Sequence, residues 1–288
     1  MRCLSAAVVL AMCLAGTAAC TGDESGSRPK AARTPSKPVP AAQLADVDLP
    51  GAPAALVDVI TRQAGRAGSV RAEHAATSAE GGKKIEQKIT AQLRTGVRPP
   101  SAQMTIVDMD PADPGTTEAV VLDGVIYTRV AGEEQAPGKP WGRLSRQDAK
   151  NPELGPFTTL LTGLMDQVDQ ALSQMTADTG LALVRNGTFK GAPAPETLGG
   201  VQVRRYSGST PAAKIAGTDP AYRALAKVGL KDVTWTLWVD GKGLPQKFQV
   251  DYTTSQDLRG VQTVTYSRWG EPVLIQAPPA GQVHKIGG

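Results

Sequence analysis

Two histidines, three cysteines and a few paired acids are the residues of this chain whose chemistry could extend beyond packing. His74 falls in the alternating run Val70, Ala72, His74, Ala76, so it reads as a half-buried structural histidine of a strand, with a ligand role as the alternative. His284 lies close to the C-terminus, where the sequence implies neither pocket nor partner. Asp46-Val47-Asp48 and Asp108-Met109-Asp110 place carboxylates where they could hold a cation. Each pair lies at a loop edge beside proline and lacks the spacing of a calcium loop, so solvated turns are the plainer reading. No Gly-x-Ser-x-Gly elbow, His-Glu-x-x-His pair or phosphate-binding glycine loop occurs. Asn186-Gly187-Thr188 matches a glycosylation sequon but also reads as a hairpin turn. Trp141 and Trp269, each followed by glycine near a strand end, fit packing better than an aromatic ligand platform. No catalytic residue, metal ligand or cofactor is expected, and an enzyme is not the expected class.

The cysteines have a different chemistry. Cys3, Cys13 and Cys20 all lie in the first twenty residues. There Arg2 supplies a positive start, and Leu4 to Ala19 form an apolar run shorter than the roughly 20 residues of a spanning helix. A processed signal over residues 1–19 is therefore expected. Thr17, Ala18 and Ala19 are small, as signal cleavage requires, and with Cys20 they resemble the lipobox at which a bacterial cysteine thiol receives diacylglycerol. Thr17 departs from the Leu usual at the first lipobox position. Cys13 fits less well because Met12 is large for the position before a cleaved bond. Lipid on Cys20 would hold the protein on the extracytoplasmic face of the cell membrane; ordinary cleavage with full release is the rival reading. A mature domain without further cysteines has no disulfide and no thiolate, and must rely on an apolar core.

The bulk composition agrees with a cored domain. The net charge is +4 with both signs interspersed, so no basic tract invites nucleic acid, and attraction to anionic headgroups would be weak. Aromatic residues are only 4% of the chain, so Val, Leu, Ile and Ala must supply most of the core. Residues 20–52 read as a flexible tether: small polar residues follow Cys20, with prolines at 29, 35, 38, 40 and 50. Such a segment buries too little apolar surface to offset its ordering entropy. Residues 53–288 then form one domain.

Within that domain, Leu56, Val59, Ile60, Ala64 and Ala67 repeat at helical spacing, with Pro53 suited to the first turn and Gly68 to the end. The period then changes to two. Val70–Ala76, Ile85–Leu93, Met104–Ile106, Ala119–Leu122 and Val125–Val130 read as strands, with turns at Gly81-Gly82 and Asp123-Gly124. A helix with a broad apolar stripe follows: Phe157, Leu160, Leu161, Leu164, Met165, Val168 and Leu172. Leu181 to Phe189 reads as strand with a turn at Asn186-Gly187, and Val201–Tyr206 as another strand. A short helix opens at Asp219-Pro220 and ends at Gly229. Thr234–Val239, Lys247–Tyr252 and Val261–Tyr266 return to strands. Strands, then helices, then strands, without βαβ alternation, imply an α+β fold: a single curved antiparallel sheet with helices covering one face.

The stripe on Phe157–Leu172 must face either a filled core or a cavity against the sheet, and periodicity leaves both open. Met165 suits either role.

The hairpin Trp238-Val239-Asp240-Gly241-Lys242-Gly243-Leu244-Pro245 adds a further clue. So do Tyr266-Ser267-Arg268-Trp269-Gly270-Glu271-Pro272-Val273, then Ile275-Gln276-Ala277-Pro278-Pro279. With Leu122–Tyr127 and Trp141, these segments resemble the LppX/LprG-like lipoproteins of actinobacteria, which share the LolA/LolB-type half-barrel. The resemblance covers roughly residues 55 to 280. It implies a half-barrel with helices over its concave face and a hydrophobic cavity for lipid or acyl chains. It also implies transport or binding without chemistry. No contact residue carries over individually, so Phe157, Leu160, Leu161, Leu164, Met165 and Val168 stand as cavity candidates on their stripe alone. The alternative is a non-transporting envelope lipoprotein that binds a protein partner, such as an envelope membrane protein, through its sheet or helix face. A solute receptor is disfavoured, because two α/β lobes are not apparent in the pattern.

Overall fold

The computed structural model describes residues 44–286 except 81–82, 96–99, 110–113, 146, 149–156, 177 and 218–219. Cys20, Gly81-Gly82, Asp110 and the expected helix cap Asp219 lie outside the described residues. The first helix, α1 (Pro53–Ala67), carries proline in its first turn and stops where Gly68 takes φ 72° and donates its N–H to the Ala64 carbonyl at 3.1 Å. It is followed by a run of strands: β1 (Ser69–Glu80), β2 (Lys83–Arg94), β3 (Ser101–Asp108), β4 (Gly115–Leu122), β5 (Val125–Val130) and β6 (Trp141–Ser145). The β4–β5 hairpin turns on Asp123 and Gly124 with φ 52° and 76°, both positive, as a two-residue turn matching strand twist requires.

Two helices come next, α2 (Phe157–Met175) and α3 (Asp178–Asn186), then the short strands β7 (Thr188–Phe189) and β8 (Ala194–Leu198) and the long β9 (Val201–Pro211). The expected strand over Leu181–Phe189 is thus corrected: Leu181–Asn186 belongs to α3. The Asn186-Gly187 signal is real but marks a helix end, with Asn186 Nδ2 donating to the Ala182 carbonyl at 2.9 Å. The chain continues through α4 (Ala212–Ile215), α5 (Pro220–Lys227), β10 (Asp232–Asp240), β11 (Pro245–Thr253), β12 (Arg259–Ser267) and the short β13 (Val283–Lys285). No helix among the described residues is long and apolar enough to cross a membrane.

All these strands form one curved, unclosed sheet in the order β13-β6-β5-β4-β3-β2-β1-β12-β11-β10-β9-β7, with β8 also on β9. The fold is α+β. Two meanders are joined where the first strand pairs with the last long one: β1 runs antiparallel to β12 from Arg71 opposite Ser267 to Ala79 opposite Arg259. Pairing is antiparallel except at one edge, where β13 adds to β6 in parallel.

The two sheet faces are covered differently. Buried residues of all five helices share one cluster with the inward residues of the sheet, so the helices lie on the concave face. On the convex face a smaller cluster forms from Val120, Trp141, Val273 and Ile275, with Arg129 stacked 5.1 Å over the Trp141 ring. The segment expected as the end of the tether is also docked. The Val47 N–H donates to the Gly241 carbonyl at 2.8 Å and Leu49 packs on the core, so the folded body begins before residue 53.

Candidate functional site

The concave face can be followed strand by strand through the pairing register. One cross-strand row is Val70–Leu93–Ala102–Val121–Ile126–Leu144, every member buried. The next is Tyr266–Ala72–Ala91–Met104–Ala119–Thr128, also buried throughout. The third runs Tyr206–Leu237–Phe248–Val264–His74–Ile89 and then Ile106–Thr117, where burial becomes partial. In the fourth, Trp235 and Val250 are buried, whereas Gln262, Ala76, Gln87 and Asp108 are only half-buried.

This face is therefore sealed and apolar at the α1 end of the strands and along β9–β11. It becomes polar and partly solvent-reached where β12 and β1–β3 run away from α1. Small residues concentrate on the second row: Ala72, Ala91 and Ala119 leave less side-chain volume under the helices than the Trp235–Phe248 region of the same face.

The helices above explain the difference. α3 lies close to β9–β11. A Cβ on Gly180 would stand 2.7 Å from the Phe248 ring, and one on Gly187 2.5 Å from Thr210 Oγ1, so only glycine permits this approach. An Arg185–Asp58 ion pair of 2.6 Å ties α3 to α1 at the surface. α2 instead packs on α3 and on β1.

Of the stripe residues, Leu161, Met165 and Val168 are buried at 3, 3 and 6% exposure, and they share the cluster with Ala72, Ala91 and Val250. Leu172 and Met175 join them. The side chains of Phe157, Leu160 and Leu164 lie outside those described. Asp46 and Asp48 flank the docked Val47, and Asp108 sits on the partly exposed end of the concave face.

His74 is more deeply buried than the alternation of β1 implies. The side chain is 2% exposed, fully and not half buried, and neither ring nitrogen has a hydrogen-bond partner among the described residues. Burial pushes its pKa down from 6.5 to about 4, so the ring is neutral at neutral pH. The alternation of β1 correctly placed it inward. What the alternation could not supply is the identity of its neighbours, Ile89 and Val264 across the strands, neither of which can hydrogen-bond.

The sequence matches no protein-family model and no curated protein. Among solved structures, the chain is similar to lipoprotein LppX of Mycobacterium tuberculosis, at 17% identity and TM-score 0.42, covering 77% of this chain and 98% of that one. It is similar to LprF of Mycobacterium bovis at 18% identity and TM-score 0.46, covering 78% and 96%. It is also similar to an outer membrane lipoprotein-sorting protein domain of Vibrio parahaemolyticus at 11% identity and TM-score 0.24, covering 74% and 90%. The LppX/LprG-like group that the turn motifs resemble thus stands among the structural neighbours.

Proposed function

We propose that this chain is a membrane-anchored extracytoplasmic lipoprotein that binds or carries lipid or acyl chains between α2 and the concave face of its sheet. One observation carries the reading: the helix-covered face is apolar and buried at one end, yet half-buried and polar at the other, at Gln262, Gln87 and Asp108 beside Ala76. Here the grading coincides with the alanine row Ala72, Ala91 and Ala119, which leaves side-chain volume free beneath the helices. A face graded from apolar to polar matches an amphiphile, whose chains gain about 25 cal/mol per Å² on leaving water while its polar part stays at the rim. The stripe of α2 supplies the opposite wall, with Met165 adaptable to chains of different shape.

The sequence resemblance to LppX/LprG-like lipoproteins supports the same reading, and the leader ending in Ala18-Ala19-Cys20 supports anchoring. Each buried acyl methylene contributes about 0.8 kcal/mol, so two or three chains on Cys20 hold the protein to the bilayer essentially permanently. The domain performs no reaction in this reading, and its work is to shield apolar chains from water.

Native mass spectrometry of the protein purified from its own host tests the proposal, together with titration by a fluorescent lipid. Co-purified species with acyl-chain masses and saturable 1:1 binding are expected. A protein that carries no lipid and binds no fluorescent lipid would overturn the carrier reading and leave the partner-binding one.

A further inference from the structure

The ladder partners of β1 leave His74 without any stabilising role that its chemistry explains. The backbone of β1 is paired on both sides, to β2 and to β12, so the imidazole is not needed to satisfy main-chain groups. Its cross-strand neighbours are Ile89 and Val264, and its same-face neighbours along β1 are Ala72 and Ala76. A leucine there would bury apolar surface with no orphaned polar atoms, whereas each unsatisfied buried nitrogen is destabilising. The two flanking alanines have a second consequence. Only methyl groups flank the ring along its own strand, so a guest that parts the covering helices from the sheet meets little side-chain bulk there. Finally, His74 occupies the last fully buried position of β1 before the polar row of Gln262, Gln87 and Asp108.

We propose that His74 is the polar contact point of the site, hydrogen-bonding an uncharged oxygen of the bound amphiphile, such as an ester carbonyl, and so fixing how deep the ligand enters. The inference rests on the lipid-binding reading above. A neutral imidazole offers one N–H donor and one acceptor nitrogen. An ester carbonyl takes the donor, and a hydroxyl can use either nitrogen. A carboxylate would bring a charge to a buried place with no cationic group among the paired, same-strand and diagonal neighbours of His74 on the sheet, which disfavours a free fatty acid with its head at this depth. The ligand class is then an ester- or hydroxyl-bearing lipid whose chains extend towards Ala72, Ala91 and Ala119 and whose remaining polar part reaches the Gln262–Gln87 rim.

Two probes separate this proposal from the carrier reading: a pyrene-labelled diacylglycerol, which has ester oxygens, and a pyrenyl alkane, which has none. The wild type is expected to bind both. His74→Phe should weaken the diacylglycerol probe about tenfold, the effect of one hydrogen bond, and leave the alkane unchanged. An independent readout needs no variant of His74. The chain has two histidines, so nitrogen-15-labelled histidine gives two imidazole spin systems, which His284→Asn assigns. The diacylglycerol probe should move the His74 ring nitrogens to hydrogen-bonded shifts, and the alkane should not. If His74→Phe does not fold, the labelled wild type decides alone. Unmoved His74 signals on saturation with diacylglycerol, or a His74→Phe variant that loses both probes equally or neither, would overturn the proposal while the carrier reading stands. A wild type that binds neither probe overturns both.

Discussion

The Trp235 indole N–H donates to Thr210 Oγ1 at 3.0 Å, and Thr210 in turn donates to the Leu183 carbonyl at 2.7 Å. This relay links β10, β9 and α3 through fully buried groups, and it holds α3 over the half of the sheet that is sealed. Thr210→Val keeps the shape but leaves the indole N–H and the carbonyl without this partner. A loss of about 2–3 kcal/mol is expected, with Thr210→Ser nearer wild type. Urea denaturation measures it, and a Thr210→Val protein within about 0.5 kcal/mol of wild type would contradict the assigned role.

The two glycines of the β10–β11 turn should differ. Gly243 has φ 75°, and a Cβ there would stand 3.0 Å from Val47 and 3.2 Å from Val59, whereas Gly241 is not in the left-handed region and approaches only Asp46 at 3.3 Å. Gly243→Val should therefore be destabilising by about 1–3 kcal/mol, and Gly241→Val by clearly less. Equal melting temperatures of the two variants would show that the turn does not depend on Gly243.

His74 makes stability depend on pH. Its folded pKa of about 4 lies below the unfolded 6.5, so between these values the unfolded chain binds a proton that the folded chain does not. The contribution is complete above about pH 6.5 and is lost as pH falls towards 4, to a total of about 3 kcal/mol. Its same-strand and directly paired neighbours, Ala72, Ala76, Ile89 and Val264, are uncharged; by register the nearest titratable side chain on the face is Tyr266 on β12, and the nearest carboxylate is Asp108 on β3. Chemical denaturation from pH 7 to 4 should show His74→Phe with a shallower loss than wild type. Parallel curves would mean that His74 is accessible to protons in the folded state.

Leu161 tests the wall that α2 presents. Leu161→Trp should weaken fluorescent-lipid binding and shift the melting temperature little, because the added ring occupies ligand space. In a filled core the same change overpacks and is destabilising by about 1–3 kcal/mol. Calorimetric melting beside the binding titration separates the two results.

Cys20→Ala should move the protein from the membrane fraction to the medium, or stop processing of its leader. Intact-mass analysis of the wild-type N-terminus provides the check, since an unmodified residue other than Cys20 at that position would rule out this anchor.

Local terms wrote much of the fold into the sequence. The period of two in Val70–Ala76 and Ile85–Leu93, the Asp123-Gly124 turn and the Pro53–Gly68 helix bounds all depend on dihedral preferences and patterns within a few residues, and all appear in the structure. The inward side of β1, and of Leu161, Met165, Val168 and Leu172 on α2, was legible for the same reason.

Other features were decided by segments far apart in the chain. Asn186-Gly187 looks like a hairpin locally, yet Leu181–Asn186 is helical, because Leu181, Leu183 and Val184 bury against the sheet only when wound into α3. Gly187 is needed for close approach to Thr210, a contact that no local pattern encodes. The pairing of β1 with β12, the docking of Val47 on Gly241 and the parallel addition of β13 likewise join distant segments. His74 follows the same logic. Its position in an alternating strand set the direction of its side chain, but Ile89 and Val264, which leave its nitrogens unsatisfied, reach it only through long-range pairing. Burial and hydrogen bonding depend on the whole set of neighbours in space, and that set exists only once the sheet has formed.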